Sequence, residues 1–302
     1  MANIRDLSFE RVPKARVLPQ AEVLKVARRN LRAELARLPE AQRALLEQDR
    51  RIGGQLPVLT GLVDSLPTGA NIGEVVQLEG LYDERDASVF LIKGTFRGRR
   101  QTESVLAHEL THALDDQTSG QARIEVKLVS DASDAERAVR EGSATLTQLL
   151  YERRYLGERK PIAAKLRTPS TVGASRLERI AGYELDFVYG KGALFLDALY
   201  RRGGATLVNR AVRNPPVTTV SILDPSRWPD DDDAVRPTSG GTPGPGWTRS
   251  YQGTFGAAGT EELLFLAAPR ASVARLVREW AGGTVEIWQR PAAVRAKAVP
   301  TR

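Results

Sequence analysis

The sequence predicts an α+β fold: a small, partly antiparallel sheet packed on one central helix, with a mostly helical C-terminal lobe. Three observations carry this. Two β-type runs, 74–82 and 88–93, flank Asp83-Glu84-Arg85-Asp86-Ala87, which suits a hairpin loop. A helical stretch over 103–117 follows directly. Beyond it, most apolar residues recur at helical rather than strand spacing.

In chain order, 21–38 reads as an amphipathic helix with Leu24, Ala27, Leu31, Leu35 and Leu38 on one face. Pro39 ends it, because proline cannot continue the hydrogen-bond ladder. A second helix covers 40–51 and stops at Gly53-Gly54. Both read as packing surface. After the two strands, Gly94 to Arg100 is a loop, and Thr102 is the expected N-cap of the helix over 103–117, with Gly120 beyond its end. A strand is expected over 122–129. Ser133-Asp134-Ala135-Glu136 has the form of a capping box opening a long helix over 134–156, with Val139, Leu146, Leu149 and Leu150 on its apolar face. Helices over 191–202 and 205–213 are separated by Gly203-Gly204 and closed by Pro215-Pro216. The stretch 226–250, rich in Pro, Gly and Asp, reads as a surface loop insert. Its run Asp230-Asp231-Asp232-Asp233 lacks the spacing of a calcium loop and reads as solvated linker. A last helix covers 260–280. The expected organisation is one domain over 1–302, with an N-terminal lobe to about 120 and a C-terminal lobe over 121–302.

The chain has 302 residues, 41% hydrophobic and 27% charged, which excludes global disorder and a collagen-like fibre. No apolar run is long enough to span a membrane. Cysteine is absent, which removes disulfides, thiolate metal sites and a cysteine nucleophile. The first 25 residues carry charges throughout and no signal-type apolar stretch, so the chain is either cytoplasmic or a mature or truncated form. The net charge is +7. The arginines are dispersed, with the densest run at Arg97-Gly98-Arg99-Arg100, and no nucleic-acid motif accompanies them. A solvated basic surface is the reading, without a nucleic-acid partner.

Histidine is the informative count. There are two, His108 and His112, in His108-Glu109-Leu110-Thr111-His112, an HExxH pattern. Helix positions i and i+4 share a face, so two imidazoles at this spacing can bind one metal ion, and neutral imidazole suits Zn²⁺. Glu109 is displaced around the helix, placed to act as a general base on water without being a ligand. Hydrolytic zinc sites take three protein ligands. With cysteine absent and histidine exhausted, the third must be a carboxylate. Glu141, in Arg140-Glu141-Gly142-Ser143-Ala144, is the candidate, and its small neighbours would let two helices approach closely. A plain surface glutamate is the alternative.

The run from His108 to Gln117 resembles the active-site helix of zincin metallopeptidases, especially the glutamate-liganded group that includes thermolysin. More closely, the chain resembles a bacterial group of zinc peptidases with a Gly-Phe/Tyr-Tyr-Asp strand, then HELTHAxxDQ, an EGxA helix and a Pro-Pro-x-Ser/Thr-Thr stretch. The matching pieces are Gly80-Leu81-Tyr82-Asp83, 108–117, 141–144 and Pro215-Pro216-Val217-Thr218-Thr219, and the likeness covers about 75–220. It implies a zincin-like architecture, His108, His112 and Glu141 as Zn²⁺ ligands, Glu109 as base, and Asp116 as a residue orienting a histidine. It also implies a peptide or protein substrate and an extracytoplasmic location. Two positions depart from the group: Ser143 stands where an aspartate is common, and Asp224-Pro225 where a His-Pro pair is common. Without a third histidine, the tetrahedral oxyanion would fall to a tyrosine, an arginine or zinc alone, and Tyr189 is the first candidate.

The expected activity is peptide-bond hydrolysis in a cleft between the lobes, with an edge strand from 74–93 pairing an extended substrate. A zinc amidase acting on other amides and a catalytically silent zinc-held scaffold are the alternatives. Oligomeric state is not readable.

Overall fold

The computed structural model describes residues 1–53, 79–119, 130–166, 175–231, 240–265, 268, 270–280 and 282–290. They are mostly helical, with a small mixed three-stranded sheet and a separate two-stranded hairpin. The N-terminal part comprises α1 (Ala2–Arg5), β1 (Lys14–Leu18), α2 (Gln20–Arg37), α3 (Glu40–Gly53), β2 (Gly80–Asp83), β3 (Ser88–Ile92) and α4 (Arg99–Ser119). Then come α5 (Asp131–Tyr155), α6 (Ile162–Lys165), α7 (Arg176–Leu185), a π-helical segment Asp186–Lys191, α8 (Gly192–Arg213) and α9 (Thr219–Leu223). The chain continues through β4 (Thr248–Phe255), α10 (Ala257–Phe265), α11 (Arg270–Arg278) and β5 (Gly283–Gln289).

The sheet order is β1–β3–β2. β2 and β3 form the expected antiparallel hairpin, and β1, which periodicity did not single out, adds in parallel to the other side of β3. Val89-Phe90-Leu91-Ile92 is buried on both faces, as expected of a strand covered on two sides. Alternation sorts the contacts: Phe90 and Ile92 pack with Val23 of α2, whereas Val89 and Leu91 pack with Val105 of α4. The sheet is therefore a layer between α2 and α4. Of the expected strand 74–82, residues 74–78 lie outside the described residues, as does the expected strand 122–129.

α4 begins earlier than 103. Thr102 is not its cap but lies in the first turn, where its hydroxyl donates to the Gly98 carbonyl at 3.1 Å. The cap of α5 is also displaced. Ser130, not Ser133, is the N-cap; Ser133 is the third helical residue and exchanges reciprocal hydrogen bonds with it. Glu136 is thus a full turn inside the helix.

The main core joins α5, α7, the π segment and α8 through Val139, Leu146, Tyr183, Phe187, Phe195 and Leu199. α5 and α8 touch backbone to backbone. A Cβ on Gly142 would sit 2.3 Å from the Gly192 carbonyl carbon, so both positions require glycine. The small residues after Glu141 thus serve two partners: Gly142 admits α8, and Ser143 faces α4, donating to Asp115 at 2.6 Å. The two helices expected over 191–213 form α8, kinked at Gly203 and at Gly204, whose φ of 62° favours glycine.

The single helix expected over 260–280 is two, α10 and α11; Pro269, which has no N–H to continue a helix, falls between them in the sequence. The loop insert expected to reach 250 ends earlier, because Thr248 starts β4, which pairs antiparallel with β5. Asp232 and Asp233 lie outside the described residues. No helix among the described residues is long and apolar enough to cross a membrane.

Behind α4 lies a buried polar network. Arg5, only 1% exposed, reaches Asp115 of α4 at 3.0 Å, Ser143 of α5 at 2.6 Å and Asn209 of α8 at 2.8 Å. The Asn209 amide returns a hydrogen bond to the Arg5 carbonyl at 2.8 Å. Arg5→Ala leaves the Asp115 carboxylate buried without its counter-charge and is expected to cost about 3–5 kcal/mol, read as a lowered urea midpoint at neutral pH.

On α10, Glu262 is pushed up to about 8, first by burial and then by the Glu184 and Asp134 carboxylates, with Arg137 opposing. The folded chain therefore keeps a proton that the unfolded chain releases near the ordinary carboxylate value of 4.5. Stability from this group is complete at low pH and falls as pH rises toward about 8. Urea midpoints followed across that range are expected to decline in the wild type and to be flatter, and higher at the alkaline end, in Glu262→Gln.

Candidate metal centre

α4 carries His108 and His112 on one face, as their spacing requires. The rings stand edge to face with centroids 4.9 Å apart, and the two Nε2 atoms are 3.2 Å apart. α5 brings Glu141 to the same point. Its Oε2 lies 3.6 Å from His108 Nε2 and 3.4 Å from His112 Nε2. These three residues, from two helices, form a group that could hold a metal ion. A tetrahedral ion with bonds of about 2.0–2.1 Å would hold its ligand atoms about 3.3 Å apart. The observed triangle has that size.

The imidazoles are oriented by neighbours. His108 Nδ1 faces the Gln148 Oε1 at 3.2 Å, while the Gln148 amide nitrogen donates to Ser104 Oγ at 2.7 Å. With that amide orientation, Gln148 offers an acceptor, His108 carries its proton on Nδ1, and the Nε2 lone pair faces the triangle. Ser104 in turn donates to Glu152 at 2.6 Å, and Lys165 pairs with Glu152, so the chain of contacts runs outward to the surface.

Burial alone would lower the His112 pKa, but the Glu141 charge and hydrogen bond, with the Glu109 charge, raise it overall. Burial alone would raise the Glu141 carboxyl; the His112 charge, hydrogen bonds from both imidazoles and the Arg140 guanidinium outweigh it and hold it well below the usual range. Glu141 is therefore an anion facing two imidazoles, a donor set suited to a divalent cation.

Glu109 sits beside this group, 7% exposed. Burial pushes its carboxyl up, opposed by the two histidines and by a hydrogen bond from the Tyr82 backbone N–H. β2 crosses so close that a Cβ on Gly80 would lie 2.7 Å from Glu109 Oε1. A side chain at this position would have to displace the Glu109 carboxylate.

Tyr189 arrives on the π-helical segment, a local underwinding common at functional sites. Its ring is 6.0 Å from that of His108, and burial, followed by the nearby Glu141 charge, raises its hydroxyl pKa. Asp116 does not meet a histidine: it accepts a hydrogen bond from the Tyr82 hydroxyl at 2.8 Å. Its neighbour Asp115 is the one turned into the core.

All of these open into a cleft of about 200 Å³ lined by His108, Glu109, His112, Arg140, Glu141 and Tyr189 on one side. β2 supplies Gly80, Leu81 and Tyr82, and α2 supplies Ala27, Asn30, Leu31 and Glu34. The helix read as mere packing surface thus forms a wall of the cleft, held by Asn30 and Arg29 donating to the buried Asp83 at 2.7 and 3.1 Å. Arg140 was not singled out from sequence; its guanidinium holds Glu141 Oε1 at 3.2 Å. Gln148 was missed too, although it lies two helical turns after Glu141 on the same face.

No family model, curated protein or solved structure matches the chain.

Gln148→Leu removes the acceptor that fixes the His108 tautomer. Competition with a chelator is expected to show metal affinity about 10–100-fold weaker. Far-UV circular dichroism should remain that of the wild type.

Proposed function

We propose that the chain is a zinc-dependent peptidase of zincin-like architecture, with His108, His112 and Glu141 as Zn²⁺ ligands and Glu109 as general base. One observation carries it: three ligand atoms at tetrahedral spacing lie next to a separate buried carboxylate, at the edge of a strand, in a cleft. Zn²⁺ held there would acidify water and polarise a carbonyl.

The chain's own residues account for the rest. Glu109, with its carboxyl raised by burial, is poised to take the proton of the attacking water and to return it to the leaving amine. The Tyr82 backbone N–H faces that carboxylate. β2 is an edge of the sheet among the described residues. The Ile92 N–H bonds the Glu79 carbonyl, so by alternation the backbone groups of Gly80 and Tyr82 point away from β3. The Tyr82 N–H serves Glu109, and the remaining groups can pair an extended peptide. Tyr189 and Arg140 both line the cleft next to Glu141 and are the proposed donors to a developing oxyanion.

The same groups would serve a zinc amidase. A silent scaffold would bind the metal equally and differ only in turnover.

The deciding measurement is zinc stoichiometry by elemental mass spectrometry. About one zinc per chain is expected in the wild type and in Glu109→Gln, with strong loss in Glu141→Ala. Little zinc in the wild type after incubation with excess metal would sink the proposal. In a screen of peptide substrates, Glu109→Gln is expected to lose at least about 100-fold in rate while keeping its metal.

A further inference from the structure

Although the arginines are dispersed along the chain, the net positive charge is concentrated in one segment. Residues 11–37 hold eight Lys or Arg against two Asp or Glu, a net +6 of the chain's +7, while the remainder holds 36 cations against 35 anions. All eight cations, Arg11, Lys14, Arg16, Lys25, Arg28, Arg29, Arg32 and Arg37, are exposed.

α2 separates two functions by face. Ala27, Asn30, Leu31 and Glu34 line the cleft. Lys25, Arg28, Arg29 and Arg32, at spacings of three and four, surround a shallow open depression with Ala33. At 100° per residue the two sets point in opposite directions. The stripe is therefore the outward surface of the outer layer. Arg29 spends its charge on Asp83 and Asp86, fastening α2 to the β2–β3 loop. Arg28 and Arg32 make no ion pair among the described residues.

We propose that this outer face of α2, with β1 beside it, docks on an anionic lipid bilayer. Several features favour that occupant. The surface is broad, along a helix about 27 Å long, rather than a pocket for one small anion. Clusters of four to eight cations on such a helix are the electrostatic signature of anionic headgroup binding. Val12, 73% exposed, is the most exposed large apolar side chain among the described residues, and it lies in this segment two residues before Lys14. It supplies shallow apolar contact beside the cations. Residues 11–37 contain no Phe, Tyr or Trp, so the surface offers no stacking platform for single-stranded nucleic acid. Docked this way, the cleft on the opposite side of α2 stays open to water.

The test is co-sedimentation of the full chain with large vesicles of phosphatidylcholine alone or with 30% phosphatidylglycerol. Binding is expected only to the anionic vesicles, with release as salt rises from about 0.1 to 0.5 M. Arg28→Glu with Arg32→Glu is expected to weaken binding at least tenfold, and Lys14→Glu with Arg16→Glu to weaken it independently. Arg153→Glu with Arg275→Glu, which changes net charge equally at exposed sites elsewhere, should leave it within about twofold. Circular dichroism confirms that each variant is folded. No binding to anionic vesicles, equal weakening by the distant pair, or tighter binding to duplex DNA than to vesicles in the same buffer would each overturn the proposal. None of these readouts depends on metal or on hydrolysis.

Discussion

A charge cannot be buried alone, and Asp115 is a buried carboxylate three residues from His112. Its partners come from everywhere except its own helix. Arg5 arrives from α1 at 3.0 Å and Ser143 from α5 at 2.6 Å, and Arg5 is held in turn by Asn209 of α8. Ser143 is two residues from Glu141. The network therefore fixes the register of α4 against α5, and that register sets the 3.4 and 3.6 Å separations between Glu141 and the two histidines. Breaking a buried pair of this kind is far more damaging than never having built it. Replacing the pair with apolar residues could keep the helices together, but would drop the directional bonds that hold this register.

The remaining constraints are steric. Gly142 and Gly192 let α5 and α8 meet at backbone distance, and Gly80 lets β2 pass over Glu109. α2 closes the far wall through a buried carboxylate, Asp83, that takes both Asn30 and Arg29. Four elements thus converge on one small volume, each admitted by a glycine or tied by a buried ion. The acidic side chains around the histidines then share one logic. The His112 charge, hydrogen bonds from both imidazoles and Arg140 hold the Glu141 carboxyl well below the usual range, while burial pushes that of Glu109 up. Two carboxylates in one cleft are thus shifted in opposite directions by their surroundings.

The histidine pair, Glu109 and Glu141 were legible because their chemistry is written in residue type and helical spacing, and residue types were scarce. The β2–β3 hairpin and the long helices were legible from periodicity. What could not be read was direction. Spacing does not say which of Asp115 and Asp116 turns inward, and only packing against α5 decides it. Leu31 on α2 fits a core stripe equally well as a cleft wall. Arg5 carries no local signal, since its burial depends on groups 110 and more residues away. The displaced cap of α5 shows the same limit. Ser130 and Ser133 can both cap, and Ser130 does so where Asp131, the first helical residue, is buried and accepts a hydrogen bond from the Thr219 N–H.

Gly80 has a consequence for recognising other chains built this way. A glycine in a strand is ordinarily replaceable, and a profile drawn around the histidine helix alone would leave it unweighted. Here its missing side chain is the space that the Glu109 carboxylate occupies, so strand and helix are coupled at this point. A search pattern that pairs a strand glycine with the downstream HExxH run would encode the shape of the cleft wall as well as its ligands, and would separate chains sharing this geometry from helices that merely share five letters.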